Sequence, residues 1–169
     1  MSIAAASSFT LLFVLPALVL LVILYGAIWG IDRFFEGVSR FLDWKSIIPV
    51  LLLGVPAHEA IHGLTWLWLG RIPKEDIKFG IRSLTPYTHC EVPMPASIYR
   101  AGAIMPGLIL GLIPYSIGLV TGSSWYISFG LVYIFAAGGD ILILWILRGV
   151  KGETRVEDHP SRVGCYVYE

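Results

Sequence analysis

The chain has 169 residues, of which 56% are hydrophobic and only 14% charged, and its mean hydropathy is +0.75. A water-soluble domain carries about a quarter charged residues, so the composition argues against a soluble fold and makes the bilayer the solvent. Twelve basic and twelve acidic residues cancel, and no nucleic-acid partner is expected.

In chain order, four segments reach the roughly 20 apolar residues that a spanning helix needs: 9–31, 47–69, 101–120 and 125–147. The first has no basic leader before it and no small-residue cleavage site after it, so it reads as a retained helix. Gly26-x-x-x-Gly30 and Gly107-x-x-x-Gly111 fit close helix packing. Pro106 and Pro114 are expected to kink the third span or open it locally.

Loop charge sets the orientation. Residues 70–100 carry Arg71, Lys74, Lys78, Arg82 and Arg100, and the tail 148–169 carries Arg148, Lys151, Arg155 and Arg162. The loop after the first span has Arg33, Arg40 and Lys45, and residues 121–124 have no basic residue. Both termini and the middle loop are therefore expected on the cytoplasmic face. Within that loop, Ile77, Phe79 and Ile81 alternate with polar or small residues, residues 83–86 read as a turn, and residues 87–92 read as a second run. The expectation is an all-α membrane protein, a single domain over 1–169, with four spans and one small hairpin. The tail reads as polar and too short for a second domain. Cys90 and Cys165 lie far apart with no CxxC pair, so neither a disulfide framework nor a redox compartment follows.

Four residues are out of place in this scheme. His58, Glu59 and His62 lie in the second span and Asp140 in the fourth. Each costs roughly 2.5–3.5 kcal/mol at the centre of a bilayer on insertion scales, and no Lys or Arg lies inside the four spans as drawn. A divalent cation would answer both carboxylates and both imidazoles. His58-Glu59-Ala60-Ile61-His62 has the spacing for it. Residues i and i+4 stand on one helix face, so both imidazoles can reach one ion. Glu59 is turned about 100° away, towards a water on that ion. Zinc suits two imidazoles, a third protein ligand and an open position.

Asp140 is the expected third ligand, by depth. His62 and Asp140 each lie about seven residues before the end of their span, or roughly 10 Å below the same interface. Gly138 and Gly139 would let the two backbones approach. Other readings stand beside this one. HExxH arises by chance in soluble chains, and Asp140 alone could serve an ion or proton path. Two histidines on one face suit a bis-histidine haem poorly. His89 and Glu91 are rival ligands, and Cys90 is either near the metal or an ordinary interfacial thiol. His159 reads as a solvated turn residue. Tyr87, His89, Tyr115 and Tyr133 are candidates to stabilise an oxyanion.

These residues carry a resemblance. With Gly63 after the His58–His62 motif, Lys78-Phe79-Gly80, Pro86-Tyr87-Thr88-His89-Cys90, Gly138-Gly139-Asp140, Asp158-His159-Pro160-Ser161 and Gly164-Cys165, the chain resembles a prokaryotic family of membrane zincin peptidases of unknown function. That family looks like a minimal relative of the site-2 proteases, which cut membrane proteins within or near their spanning helices. The resemblance implies one zinc per chain held by His58, His62 and Asp140, Glu59 as general base, and a prokaryotic inner-membrane location. Site-2 proteases usually carry Asn-Pro-Asp-Gly or Leu-Asp-Gly at the third ligand, where this chain has Gly139-Asp140-Ile141. No PDZ-like insertion is present. The expected activity is hydrolysis of peptide bonds in a membrane-protein or peptide substrate. A metal-binding pseudoprotease or escort of membrane proteins, and an ion or proton transporter using Asp140, remain the alternatives.

Overall fold

Apolar helices form wherever the chain offers long runs without charge. The computed structural model describes residues 8, 10–82, 85–159 and 164–168; Phe9, where the first span was expected to begin, lies outside them. A π-helical turn (Thr10–Val14) leads into α1 (Leu15–Trp29). Helix α1 stops at Gly30, whose φ of +89° is open to glycine and strained for other residues. Gly30 is therefore a turn residue, not part of a packing motif with Gly26.

The chain then enters α2 (Ile31–Phe41), a helix that the span assignment treated as the end of one helix and a loop. Ile31, Phe34, Val38 and Phe41 recur at helical spacing, with Asp32, Arg33, Glu36 and Arg40 among them. Its Gly37 lies so close to the fourth span that a Cβ there would stand 2.0 Å from Ser124 Oγ. Asp43 caps α3 (Trp44–Leu69) by accepting from Lys45 N–H at 3.0 Å.

The third span runs as α4 (Ala96–Pro106), a π-helical stretch (Gly107–Leu112) and α5 (Ile113–Thr121). The local opening expected from the two prolines is this π segment, which re-pairs the backbone that proline leaves without a donor. Gly107 and Gly111 do pack closely: added Cβ atoms would lie 3.1 Å from Ala137 Cβ and 2.8 Å from Ile134 Cγ1.

The fourth span is not the continuous helix expected over 125–147. It consists of α6 (Ser124–Ala136) and α7 (Gly138–Ile146), bent by 45° at Ala137, with a 3₁₀ turn (Leu147–Gly149) at its end. Among the described residues, three helices are long and apolar enough to cross a membrane, and the bent pair would make a fourth. Their flanks expose Leu52, Leu53 and Val120 at 68%, 69% and 80%, a pattern that suits lipid and not water.

Two small antiparallel sheets lie beside the helix ends. Strands β1 (Ile77–Arg82) and β2 (Thr85–Cys90) form the expected hairpin, in register from Ile77↔Cys90 to Arg82↔Thr85; residues 83 and 84 of its turn lie outside the described residues. The second sheet, which the polar reading of the tail missed, orders β3 (Met94–Pro95), β4 (Arg155–Asp158) and β5 (Cys165–Tyr168) side by side. Val156 pairs with Met94, and both are buried with Trp66, Ile77, Cys90, Tyr99 and Leu147 in a core between the sheets and the helices. Arg100 ties this end together. Its guanidinium donates to Leu147 O and Val150 O, both at 2.9 Å, tying α4 to the turn that follows α7; Leu147 O also accepts from Val150 N–H at 3.0 Å. Arg100 lies within α4, not before the span as expected, but this bonding commits it away from Asp140.

Candidate metal centre

His58 and His62 project from one face of α3, their rings 5.0 Å apart, and Asp140 meets them from the first turn of α7. His58 Nε2 lies 3.1 Å from Asp140 Oδ2, and His62 Nε2 lies 3.4 Å from Asp140 Oδ1. One ligand atom from each residue falls within 4.8 Å of the others. Ligand atoms on a tetrahedral zinc, at bond lengths of about 2.0–2.2 Å, stand roughly 3.3–3.6 Å apart, so the three side chains need little movement to share an ion.

The proton on His62 is assigned by its partner. Nδ1 lies 2.9 Å from Gly102 O, a carbonyl that only accepts, so Nδ1 is the donor and Nε2 carries the lone pair in the neutral ring. That lone pair faces the Asp140 carboxylate, whose oxygens accept unless one of them carries a proton. Acceptors facing one another across 3.4 Å need a positive charge between them, a proton or a metal ion. His58 is held differently: its Nδ1 is buried without a hydrogen-bond partner among the described residues. What its Nε2 meets therefore decides its tautomer. The set of two imidazoles and one carboxylate fits zinc, and a carbonyl hydrogen bond behind a ligand histidine is the usual outer-shell support.

Local packing explains how the Gly102 carbonyl reaches His62. A Cβ on Gly102 would lie 1.9 Å from Trp66 Nε1, so glycine lets Trp66 press against α4. Trp66 stacks on His62 at 6.0 Å and on Tyr99 at 5.6 Å, which fixes the imidazole plane. Gly139 does not bring backbones together as expected; a Cβ there would meet nothing within 4 Å. It lines an open cavity of about 320 Å³ that also takes in His58, Glu59, His62, Asp140, Tyr87 and Thr88.

Glu59 turns away from the three-residue cluster towards the hairpin, as the 100° offset requires. Thr88 Oγ1 lies 2.8 Å from Glu59 Oε2 and 2.9 Å from Glu59 O, so its single proton orients the carboxylate from above. The hairpin thus supplies a bond to Glu59, not a ligand. His89 Nδ1 instead lies 3.5 Å from Asp158 Oδ2, and Glu91 pairs with Lys78 at 3.6 Å. Cys90 packs in the hydrophobic core with its thiol 3.5 Å from Val92 O, and burial pushes that thiol up to about 11. Two oxyanion candidates are occupied elsewhere: Tyr115 donates to Leu21 O at 2.8 Å and Tyr133 to Val50 O at 2.6 Å. Tyr87 does line the cavity.

The tail, part of the resemblance but given no role there, contributes contacts of its own. Asp158 accepts from the Tyr99 hydroxyl through Oδ1 and from Cys90 N–H through Oδ2 at 3.0 Å. Burial pushes its carboxyl above the usual range, and the Tyr99 and Cys90 donors pull it back only in part. His159 lines the metal-centre cavity, along with Asp158 and Gly164. It opens the β4–β5 connection, half-buried as well as turn-placed: Asp158 anchors the strand, and His159 stacks on Tyr166 at 4.9 Å.

The family model described as "Putative zincin peptidase" matches residues 51–154. The match takes in His58, Glu59, His62, the hairpin and Asp140, and stops short of Asp158. No curated protein and no solved structure matches the chain. With more than half its length under that one family model, and a histidine pair and carboxylate gathered where a zincin would hold its metal, this chain belongs to the putative zincin peptidase family.

Proposed function

We propose that the chain is a zinc-dependent intramembrane endopeptidase of site-2 protease type, cutting peptide bonds of membrane-protein or peptide substrates. The observation that carries this reading is the tautomer of His62: Gly102 O takes the Nδ1 proton, which leaves the Nε2 lone pair facing Asp140 beside His58 Nε2. These three would hold one zinc. Zinc, when bound, supplies Lewis acidity that polarises a carbonyl and makes water more acidic.

The other roles belong to the chain's own side chains. Glu59 accepts a proton from water at its carboxylate and returns it to the leaving amine, with Thr88 fixing the carboxylate's direction. Substrate backbone is held extended along the open edge of β2. Cys90 N–H leaves the hairpin for Asp158, and Glu91 N–H joins Asp76 O at 2.9 Å. Alternation along the ladder then turns the Thr88 N–H and C=O outward, beside the cavity. Following loop charge, we place the hairpin and both termini on the cytoplasmic face of a prokaryotic inner membrane, with Arg33, Arg40 and Lys45 opposite.

The test is cleavage of an unfolded polypeptide by the detergent-purified full chain, beside Glu59→Gln. A peptidase keeps its zinc and loses turnover in that variant. Turnover equal to the wild type's would contradict the role of Glu59. Zinc without turnover in the wild type would favour a metal-binding escort, and a metal-free, folded protein would favour a transporter.

A further inference from the structure

Asp140 stands between two cavities of opposite character. The first is the open, polar one shared by Glu59 and the two histidines. The second, of about 230 Å³, lies between α1, the third span, α6 and α7, and its walls include Leu21, Ile104, Leu108 and Leu144. Ala103 and Asp140 line both cavities. In the second, Asp140 is the one ionisable residue, and every other lining residue is aliphatic or glycine.

We propose that this second cavity is the specificity subsite of the peptidase, taking one medium-sized aliphatic side chain (Leu, Ile, Val or Met) from a residue flanking the scissile bond. The inference rests on the peptidase reading above and adds the substrate residue it selects. Three observations support it. The first is size: whole-ligand sites run to about 300–1,000 Å³, and this cavity is smaller, which suits part of a ligand. The second is adjacency: Ala103 and Asp140 line both cavities, so this one adjoins the polar cavity in which a substrate backbone would pass. The third is chemistry. Apart from Asp140, which the proposed zinc would engage, the wall offers a polar side chain no partner, while a missing or extra methylene in such a pocket changes rates by roughly 10–200-fold.

The floor of the cavity is firm enough to discriminate. Gly107 sits where a Cβ would come within 3.1 Å of Ala137 Cβ, so the small residues there are already in contact. Leu108 and Leu144 line the same cavity, and their side chains can be lengthened or trimmed.

Two measurements test the proposal on the zinc-loaded full chain in detergent, with unfolded β-casein as the probe. In the first, cut sites are mapped by mass spectrometry. The wild type is expected to cut with Leu, Ile, Val or Met at one fixed side of the bond. Leu108→Trp, or Ile104→Phe should the first fail to bind zinc, should shift that position to Ala or Gly by tenfold or more. Leu144→Ala should shift it towards Phe. Cleavage with one unchanged residue preference in the filled and enlarged variants would overturn the subsite alone. A zinc-loaded wild type that cuts nothing would overturn the peptidase reading and the subsite with it.

The second measurement needs no turnover. A benzophenone amino acid at position 104 of the Glu59→Gln chain, in phospholipid nanodiscs with β-casein, should crosslink the polypeptide. Crosslinks to phospholipid alone would overturn the proposal and make the cavity a seat for an acyl chain.

Discussion

Asp140 and Asp158 are both largely buried carboxylates in contact with histidine, and their surroundings are opposite. Asp158 is met by donors: the Tyr99 hydroxyl and Cys90 N–H point at it, with His89 at 3.5 Å. Asp140 is met by His58 and His62, and the His62 nitrogen that faces it is a base, because Gly102 holds that ring's proton on the other side. A carboxylate given donors is at rest and can serve as a fastener. One given lone pairs waits for a cation. The difference separates a strut from a candidate reaction centre with no appeal to motif.

The comparison breaks most visibly at the metal. On the proposed reading, Asp140→Ala or His58→Ala lowers zinc from one per chain to none and cuts cleavage by roughly a thousandfold or more, measured by elemental analysis beside a turnover assay. Glu59→Gln is next. Zinc stays, and turnover falls by about 10²–10⁴-fold, the usual share of a general base.

Asp158→Ala should do the reverse. It strands the Tyr99 hydroxyl and Cys90 N–H in a buried place, costing about 2–4 kcal/mol of stability, while zinc remains at one per chain. The pH dependence sharpens the point. The Asp158 carboxyl is pushed up by burial, so its contribution to stability is complete below its unfolded pKa. That contribution is lost as pH rises through the raised folded value. Thermal unfolding between about pH 4 and about pH 8 should therefore weaken the wild type relative to Asp158→Asn. Thr88→Val is milder: loss of one hydrogen bond to the Glu59 carboxylate should lower turnover about tenfold, with zinc unchanged. The smallest effect is at Cys90. With its thiol near 11, only about one molecule in a thousand is thiolate at pH 8. Alkylation of the native chain should therefore be negligible until denaturant is added.

The His58–His62 spacing, the apolar runs and the alternation of Ile77, Phe79 and Ile81 are local signals, and they were enough for the apolar helices, the histidine pair and the hairpin; Asp140 came from its matching depth in a distant segment. What escaped depends on distant partners. Strand β4 exists because Val156 pairs with Met94 across the whole third and fourth spans, and four polar or charged neighbours gave no periodic sign of it. Asp158 and His159 escaped for the same reason. The bend at Ala137 has no proline to announce it. Gly138-Gly139 was the available signal, read as a packing surface when Gly139 in fact opens the cavity. Helix α2 was legible in the spacing of Ile31, Phe34, Val38 and Phe41, but its two acidic and two basic residues made it look like a loop.

The central claim is that Asp140, and not Asp158, completes a zinc site with His58 and His62. Elemental analysis of the detergent-purified wild type, His58→Ala, Asp140→Ala and Asp158→Asn tests it most directly. The account predicts one zinc per chain in the wild type and Asp158→Asn, and none in His58→Ala and Asp140→Ala. Full zinc in Asp140→Ala, or its loss in Asp158→Asn while the fold persists, would contradict it.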